Sequence, residues 1–202
     1  GSFLIVTKHL KKIVKTRDTQ GLLKILHPNA KLDFGGSSGK AGLIRLWSLN
    51  KRPELSEIWT ILEQMLNLGC SRQSYPGTGT FYYTYPSISA RFPHNGPQFE
   101  SVDQAIVTGN NVNVRTLPSI NAQIMDRVSY NVLLLLLRDA STMYISKNDI
   151  VNGIKSKWYK VRLHTGKTGY IFGQFLYFRS GYRMNLEKDA TGWRITALLG
   201  GI

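Results

Sequence analysis

The chain is poor in the residues that most metal, disulfide and thiol-based catalytic sites use. Its 202 residues include a single cysteine, Cys70, which excludes an intramolecular disulfide and a thiolate metal cluster. The four histidines are His9, His27, His94 and His164, and no two of them stand at metal-ligand spacing. We therefore expect no metal, no cofactor and no catalytic residue, with Cys70 as a small packed side chain.

Long hydrophobic runs are also missing. No apolar stretch approaches the roughly 20 residues that a bilayer-spanning helix needs. The chain begins with Gly1-Ser2, which is typical of an expression scar, so we expect any native signal or lipid-attachment peptide to be absent from this chain. Hydrophobic residues nevertheless make up 42% of the sequence, which is enough for the cores of two small domains.

Acidic residues are scarce relative to basic ones. The chain has 26 Lys and Arg against 12 Asp and Glu, a formal net charge of +14 at pH 7. Such a charge favours anionic partners, among them nucleic acid, lipid headgroups and envelope polyanions, and does not choose among them.

The first half of the chain carries helical patterns. Apolar and lysine residues at helical spacing over 3–16 predict a first, amphipathic helix. A second short helix should follow Asp18 and end at His27-Pro28-Asn29. A third helix is predicted between Ser56 and Gly69. Extended segments are expected at 81–85 and 88–92, followed by a linker near residue 95.

A glycine-rich segment at 33–40 ends in Lys40 and invites comparison with a phosphate-binding loop. It lacks the Gly-Lys-Ser/Thr sequence and a preceding hydrophobic strand. We interpret it as a tight loop and expect no nucleotide there.

The second half carries strand patterns. Val112 and Val114 alternate with Asn113 and Arg115, as in a strand with one buried face, and Pro118 ends it. Residues 158–163 and 170–172 are rich in aromatic and β-branched types and flank glycines, which predicts a hairpin. A further hairpin is predicted at 182–199 around a turn at 189–192.

Three of these segments together resemble a known family. Residues 112–119 read VNVRTLPS, 158–161 read WYKV and 166–171 read GKTGYI. In this order they resemble the opening strand and last hairpin of the bacterial SH3-like (SH3b, type 3) domain, whose usual patterns are LNVRSGPS, WYKV and GxxGYI. The resemblance implies a small β-barrel over 101–179 and a place in the cell envelope.

The N-terminal half shows a less specific resemblance. His27-Pro28, the FGG of 34–36, the WSL of 47–49 and the SEIWTIL of 56–62 follow the order seen in uncharacterised exported and lipoprotein families that precede an SH3-like domain. No activity comes with it. The expected fold class is α+β: an α+β domain of unknown function over 3–95, then the barrel, then a β-hairpin over 180–202 that packs at the domain junction.

Two features depart from the SH3-like pattern. Residues 132–137 are apolar throughout, so Leu133, Leu135 and Leu137 would face water if the domain stood alone, and we expect a cover over them. The segment 140–156 lengthens the loop before the WYKV strand and predicts no particular role.

Basic and aromatic residues interleave along 155–179, a pattern that suits sugar rings, carboxylates or phosphates. We expect Trp158, Tyr170 and Phe175 in the barrel core. The candidate ligand-binding residues, expected near a groove, are Asn113, Arg115, Tyr159, Lys160 and Arg162.

These patterns favour a non-catalytic envelope protein, exported and periplasmic or on the outer cell surface, with or without a lipid anchor. Its SH3-like domain would bind peptidoglycan, another anionic envelope polymer or a peptide of a protein partner, and we expect membrane contact only through a lipid anchor that this chain lacks. Two alternatives stay open. The first is a peptidoglycan hydrolase with an unrecognised N-terminal site, for which Cys70 as nucleophile with His27 or His94 as base is the candidate pair. The second, less favoured alternative is a basic nucleic-acid-binding protein.

Overall fold

The computed structural model describes residues 2–87, 103–130, 133–141 and 143–200. The chain divides into two compact units, one formed by Gly1–Arg91 with Tyr182–Gly201 and the other by Phe92–Gly181. Both helices and large sheets are present, so the expected α+β class is confirmed. The predicted linker near residue 95 and the extended segment 88–92 lie outside the described residues.

The second unit has a 3-10 turn at Gly173–Phe175, and the α-helices of the described chain all belong to the first unit. They are α1 (Phe3–Thr16), α2 (Thr19–Ile25), α3 (Gly39–Trp47) and α4 (Ile58–Asn67), with a 3-10 turn at Pro53–Leu55. The side chains of Ser2 and Asp18 cap α1 and α2 by accepting from the amides of Leu4 and Gly21. Three of these helices lie where the sequence predicts them.

The strands, in chain order, are β1 (Leu26–Lys31), β2 (Ser71–Ser74), β3 (Phe81–Tyr85), β4 (Gln104–Val107), β5 (Val112–Arg115), β6 (Ile124–Val128), β7 (Leu133–Leu136), β8 (Ser146–Val151), β9 (Ile154–Arg162), β10 (Thr168–Phe172), β11 (Leu176–Phe178), β12 (Arg183–Asp189) and β13 (Gly192–Leu199). The first unit holds a five-stranded sheet in the order β1-β13-β12-β3-β2, in which β1 runs parallel to β13. The predicted tail hairpin therefore exists as β12–β13 and occupies the middle of this sheet. Its expected packing at a domain junction stays a prediction.

Two elements of the first unit differ from the sequence analysis. The second helix does not end at His27-Pro28-Asn29, because β1 already begins at Leu26 and pairs with β13. Pro28 is tolerated there since β1 is an edge strand. The segment interpreted as a loop leads at once into α3, where Gly39 has φ +60° and a Cβ atom would stand 2.2 Å from the Pro28 carbonyl oxygen.

The second unit holds the remaining eight strands. Their order is β11-β4-β7-β9-β10-β5-β6, and β8 pairs with β9. Strand β9 is long enough to pair with β8 along Ile154–Tyr159 and with β7 at Val161 and Arg162. The segment 140–156 was thus wrongly interpreted as a lengthened loop, because most of it forms a β8–β9 hairpin turned by Asn152-Gly153.

Each unit has its own hydrophobic core. In the second unit, Leu134 and Leu136 are buried in it, whereas Leu135 and Leu137 on the alternate positions are half-buried. The expected cover over these alternate leucines stays a prediction, and the side chain of Leu133 lies outside the described set.

Candidate ligand-binding cleft

The sheet of the second unit has one face on its core and one face turned outward. Val112, Val114, Val161 and Ile171 belong to the core cluster. Since successive side chains of a strand point to opposite faces, the neighbouring positions lie on the outward face. These outward positions include Asn113, Arg115, Trp158, Lys160, Arg162, Tyr170 and Phe172.

Pairing between strands brings three motif residues into one row on this face. Tyr170 stands opposite Arg115 of β5 on one side and opposite Lys160 of β9 on the other. Two cations therefore flank a half-buried tyrosine, although the segments carrying them are distant in sequence. Arg162 lies one pair further along, opposite Thr168.

A cleft of about 240 Å³ opens beside this row. Its lining consists of amide side chains, aliphatic and aromatic groups and one guanidinium: Asn110, Asn111, Val112, Asn113, Arg115, Ile120, Val151, Asn152, Ile154, Trp158, Phe172, Gln174 and Phe175. The side-chain amides donate and accept hydrogen bonds and the guanidinium donates them, and neither kind of group transfers protons near neutral pH.

Two aromatic rings form the floor of the cleft. Trp158 and Phe172 are both 3% exposed, face each other across β9 and β10, and have ring centroids 5.2 Å apart. The indole Nε1 of Trp158 donates to Asp149 Oδ2 at 2.8 Å, and this hydrogen bond lowers the pKa of Asp149. Trp158 is buried as expected, but it packs on the outward face instead of in the core cluster.

The polar side chains Arg115 and Asn113 of the cleft are held in place by hydrogen bonds to β6 and to the loop before it. Arg115 Nη1 donates to the carbonyl oxygen of Ala122 at 2.6 Å, and Asn113 Oδ1 accepts from Arg127 Nε at 3.1 Å. A guanidinium has five N–H groups, so fixing one leaves others for a ligand. The side-chain NH₂ of Asn113 is likewise a donor that this bond does not use.

The rim comes from two turns that favour asparagine. Asn111 has φ 54° and Asn152 has φ 50°, a region that asparagine tolerates better than other non-glycine residues. The Asn152-Gly153 turn places Val151, Asn152 and Ile154 along the cleft. The sequence analysis missed these residues, although an Asn-Gly pair between apolar runs is a strong hairpin signal.

The five predicted site residues do not all come together. Asn113 and Arg115 line the cleft, whereas Lys160 and Arg162 share its face of the sheet but not its lining. Tyr159 lies on the core side, with its ring centroid 5.0 Å from that of Phe178, and burial raises the pKa of its hydroxyl. Tyr170 is half-buried on the outward face and Phe175 packs partly on the core, where we expected both to be core residues.

The candidate cysteine pair has no support from geometry. Cys70 is half-buried against the first core, where it interacts with the hydroxyl of Tyr85. Nδ1 of His27 accepts a hydrogen bond from the amide of Asn29 at 3.1 Å, and His94 lies outside the described residues. Within the described ranges, no group of three or more His, Cys, Asp or Glu residues could hold a metal ion.

No helix in the described part of the chain is both long enough and apolar enough to cross a membrane.

Comparison with known proteins adds little to this geometry. No family model and no curated protein matches the chain. A five-substitution variant of the solved protein Rd1NTF2_05 is 10% identical, with 97% of this chain and 93% of that chain covered and a TM-score of 0.29. A similarity at that TM-score carries no argument about fold or function.

Proposed function

We propose that this is a non-catalytic binding protein of the cell envelope, exported, whose second unit is an SH3-like domain that binds peptidoglycan or a peptide of a partner protein. The observation that supports the proposal is the pairing of Tyr170 with Arg115 and with Lys160. The three motifs that resemble the SH3-like family thereby lie on adjacent strands, as parts of one domain must.

The chemistry of the cleft supports a ligand with amide and carboxylate groups. Side-chain amides from Asn113, Asn152 and Gln174 match the donors and acceptors of a peptide, and Arg115 suits a carboxylate. Ile120 and Ile154 are 43% and 45% exposed and offer apolar contact at the rim. The peptide stems of peptidoglycan combine these features, as does an acidic peptide segment.

Sedimentation of the chain with purified peptidoglycan at low and moderately high salt tests the proposal. We expect binding to persist at high salt and to weaken about tenfold or more in Arg115→Ala, because a charged hydrogen bond contributes about 1.5–3 kcal/mol. Asn113→Ala should weaken binding less. Lys167→Ala is the matched control, since it removes one positive charge from an exposed turn.

Binding to duplex DNA provides the comparison for nonspecific charge. Phosphate-driven binding releases counterions and weakens steeply with salt. If peptidoglycan binding disappears with salt as quickly as DNA binding does, or if Lys167→Ala equals Arg115→Ala, the cleft proposal fails. Release of soluble fragments from peptidoglycan would instead favour the hydrolase alternative.

A further inference from the structure

The outward face of α1 carries exposed apolar residues and exposed lysines together. Leu4 and Ile5 are 69% and 64% exposed. Lys8, Lys11, Lys12 and Lys15 are exposed as well, and α1 contains no acidic residue. The helix therefore joins an apolar end to a stripe of four lysines, which we call the α1 face (Leu4, Ile5, Lys8, Lys11, Lys12 and Lys15).

Helical spacing places these side chains together. Residues 4, 8, 11 and 15 follow the i, i+4, i+7, i+11 pattern of one helix side, and residues 5 and 12 stand beside them, about two turns apart. Exposure of the apolar side chains of Leu4 and Ile5 to water is unfavourable. The long aliphatic part of a lysine side chain can lie along an apolar surface while its ammonium group stays in a polar environment.

The opposite side of α1 is already committed to the fold. Leu10, Ile13 and Val14 are buried in the first core, and Phe3 stacks on Tyr83 with ring centroids 3.6 Å apart. Thr7 Oγ1 and the Tyr85 hydroxyl lie at 3.2 Å. Because these contacts fix the helix in the unit, the α1 face is presented as a rigid surface and needs no refolding to be used.

We propose that the α1 face docks the protein on an anionic phospholipid bilayer, a direct membrane contact that departs from the expectation of contact through a lipid anchor alone. Leu4 and Ile5 would enter the boundary between headgroups and acyl chains, and the four lysines would lie against the phosphate layer. Charge complementarity alone would fit any polyanion, but the exposed apolar pair is useful only against a surface with an apolar interior. This site is separate in sequence and chemistry from the cleft and does not depend on the cleft's ligand.

Flotation of the whole chain with vesicles of equal parts phosphatidylglycerol and phosphatidylcholine tests the proposal. Each lysine near an anionic surface contributes about fivefold, so the double variant Lys8→Gln, Lys12→Gln should bind about 25-fold more weakly. The matched control is Lys157→Gln with Lys167→Gln, two exposed lysines of the second unit with the same total charge change. We expect the control to lose much less.

A second pair of variants separates a bilayer from a soluble polyanion. Leu4→Ser with Ile5→Ser should reduce vesicle binding several-fold and leave binding to heparin unchanged. Met143→Ser with Ile150→Ser, which are 67% and 66% exposed in the second unit, is the control and should change neither. Circular dichroism checks that each variant folds.

Three results would overturn the proposal. Equal binding to pure phosphatidylcholine vesicles would remove the role of charge, and unchanged vesicle binding in the Leu4, Ile5 double variant would remove the role of the apolar pair. Equal losses in the two lysine double variants would assign the effect to net charge alone.

Discussion

The two units use their large apolar side chains differently. Among the described residues, the first unit packs helices and a five-stranded sheet around one core with about twice as many buried residues as the core of the second. The second unit keeps Trp158 and Phe172 out of its core cluster and buries them on the outward face instead. Two large rings thereby line the cleft that we propose as the ligand site, instead of enlarging the core of the second unit.

The units also differ in how the chain assembles them. The second is one continuous segment, whereas the first takes its two central strands, β12 and β13, from the end of the chain. Met184 and Leu186 of β12 are fully buried in the first core. The first unit should therefore depend on the tail, and the second should not.

Ending the chain after Gly181 should produce the largest effect. It removes the strands between β1 and β3, so we expect α1 and α4 to lose hydrogen-exchange protection almost entirely. Amides of β5, β9 and β10 should stay protected. Persistent protection of α4 in the shortened chain would contradict this division of the molecule.

Truncating one core residue in each unit should give a smaller and local effect. Leu186→Ala and Ile171→Ala each remove a fully buried side chain and should cost about 2–5 kcal/mol. Chemical denaturation followed by hydrogen exchange would show in which unit the loss falls. Leu117→Ala is the control: its side chain is 62% exposed, and the change should cost less than about 0.5 kcal/mol. Loss of protection in both units from either core variant would show that the cores are not independent.

The turn that shapes the cleft rim should be sensitive to a single methyl group. Gly153 has φ 78°, so Gly153→Ala should destabilise the second unit by about 1 kcal/mol. Gly35→Ala offers a comparison, because Gly35 has no positive φ and its Cβ would meet no atom closer than 3.7 Å. Thermal unfolding of both variants checks the difference, and equal shifts would argue against strain at the turn.

Low pH should weaken the stabilising hydrogen bond between Trp158, in the cleft floor, and Asp149. The hydrogen bond from Trp158 lowers the pKa of Asp149 below the ordinary aspartate value of 3.8. A carboxyl with a depressed folded-state pKa stabilises above its unfolded pKa and loses that contribution as the pH falls through the folded one. Asp149→Asn should therefore have a lower melting temperature than the unsubstituted chain near neutral pH, and the difference should shrink below about pH 3.8. A constant difference across that range would contradict the assignment.

Local patterns account for the elements that the sequence predicts. Alternation in 112–115, the apolar and lysine spacing in 3–16 and the capping residue Asp18 depend on near neighbours, and the structure places β5, α1 and α2 there. Strand β1 escaped prediction because its partner is β13, so that Leu26 pairs with Ile195. Helix α3 escaped because Gly39 and Gly42 lower its helix propensity.

In the candidate site, too, local patterns predict some residues and only the tertiary structure accounts for the rest. Strand parity placed Asn113 and Arg115 on the face opposite Val112 and Val114, the SH3-like resemblance made them candidates, and they line the cleft. Parity would also have placed Tyr159 with the buried Val161, on the core side. The cleft itself needs the β8–β9 hairpin to stand beside β5, a tertiary arrangement that no local pattern contains.

Nuclear magnetic resonance of the side-chain amides offers the most direct test that the cleft is a binding site. On titration with soluble peptidoglycan fragments, the NH₂ resonances of Asn113, Asn152 and Gln174 should shift, while those of Asn29 and Asn67 in the first unit should not. Shifts confined to the first unit, or no shifts at concentrations where the fragments demonstrably bind, would contradict the account.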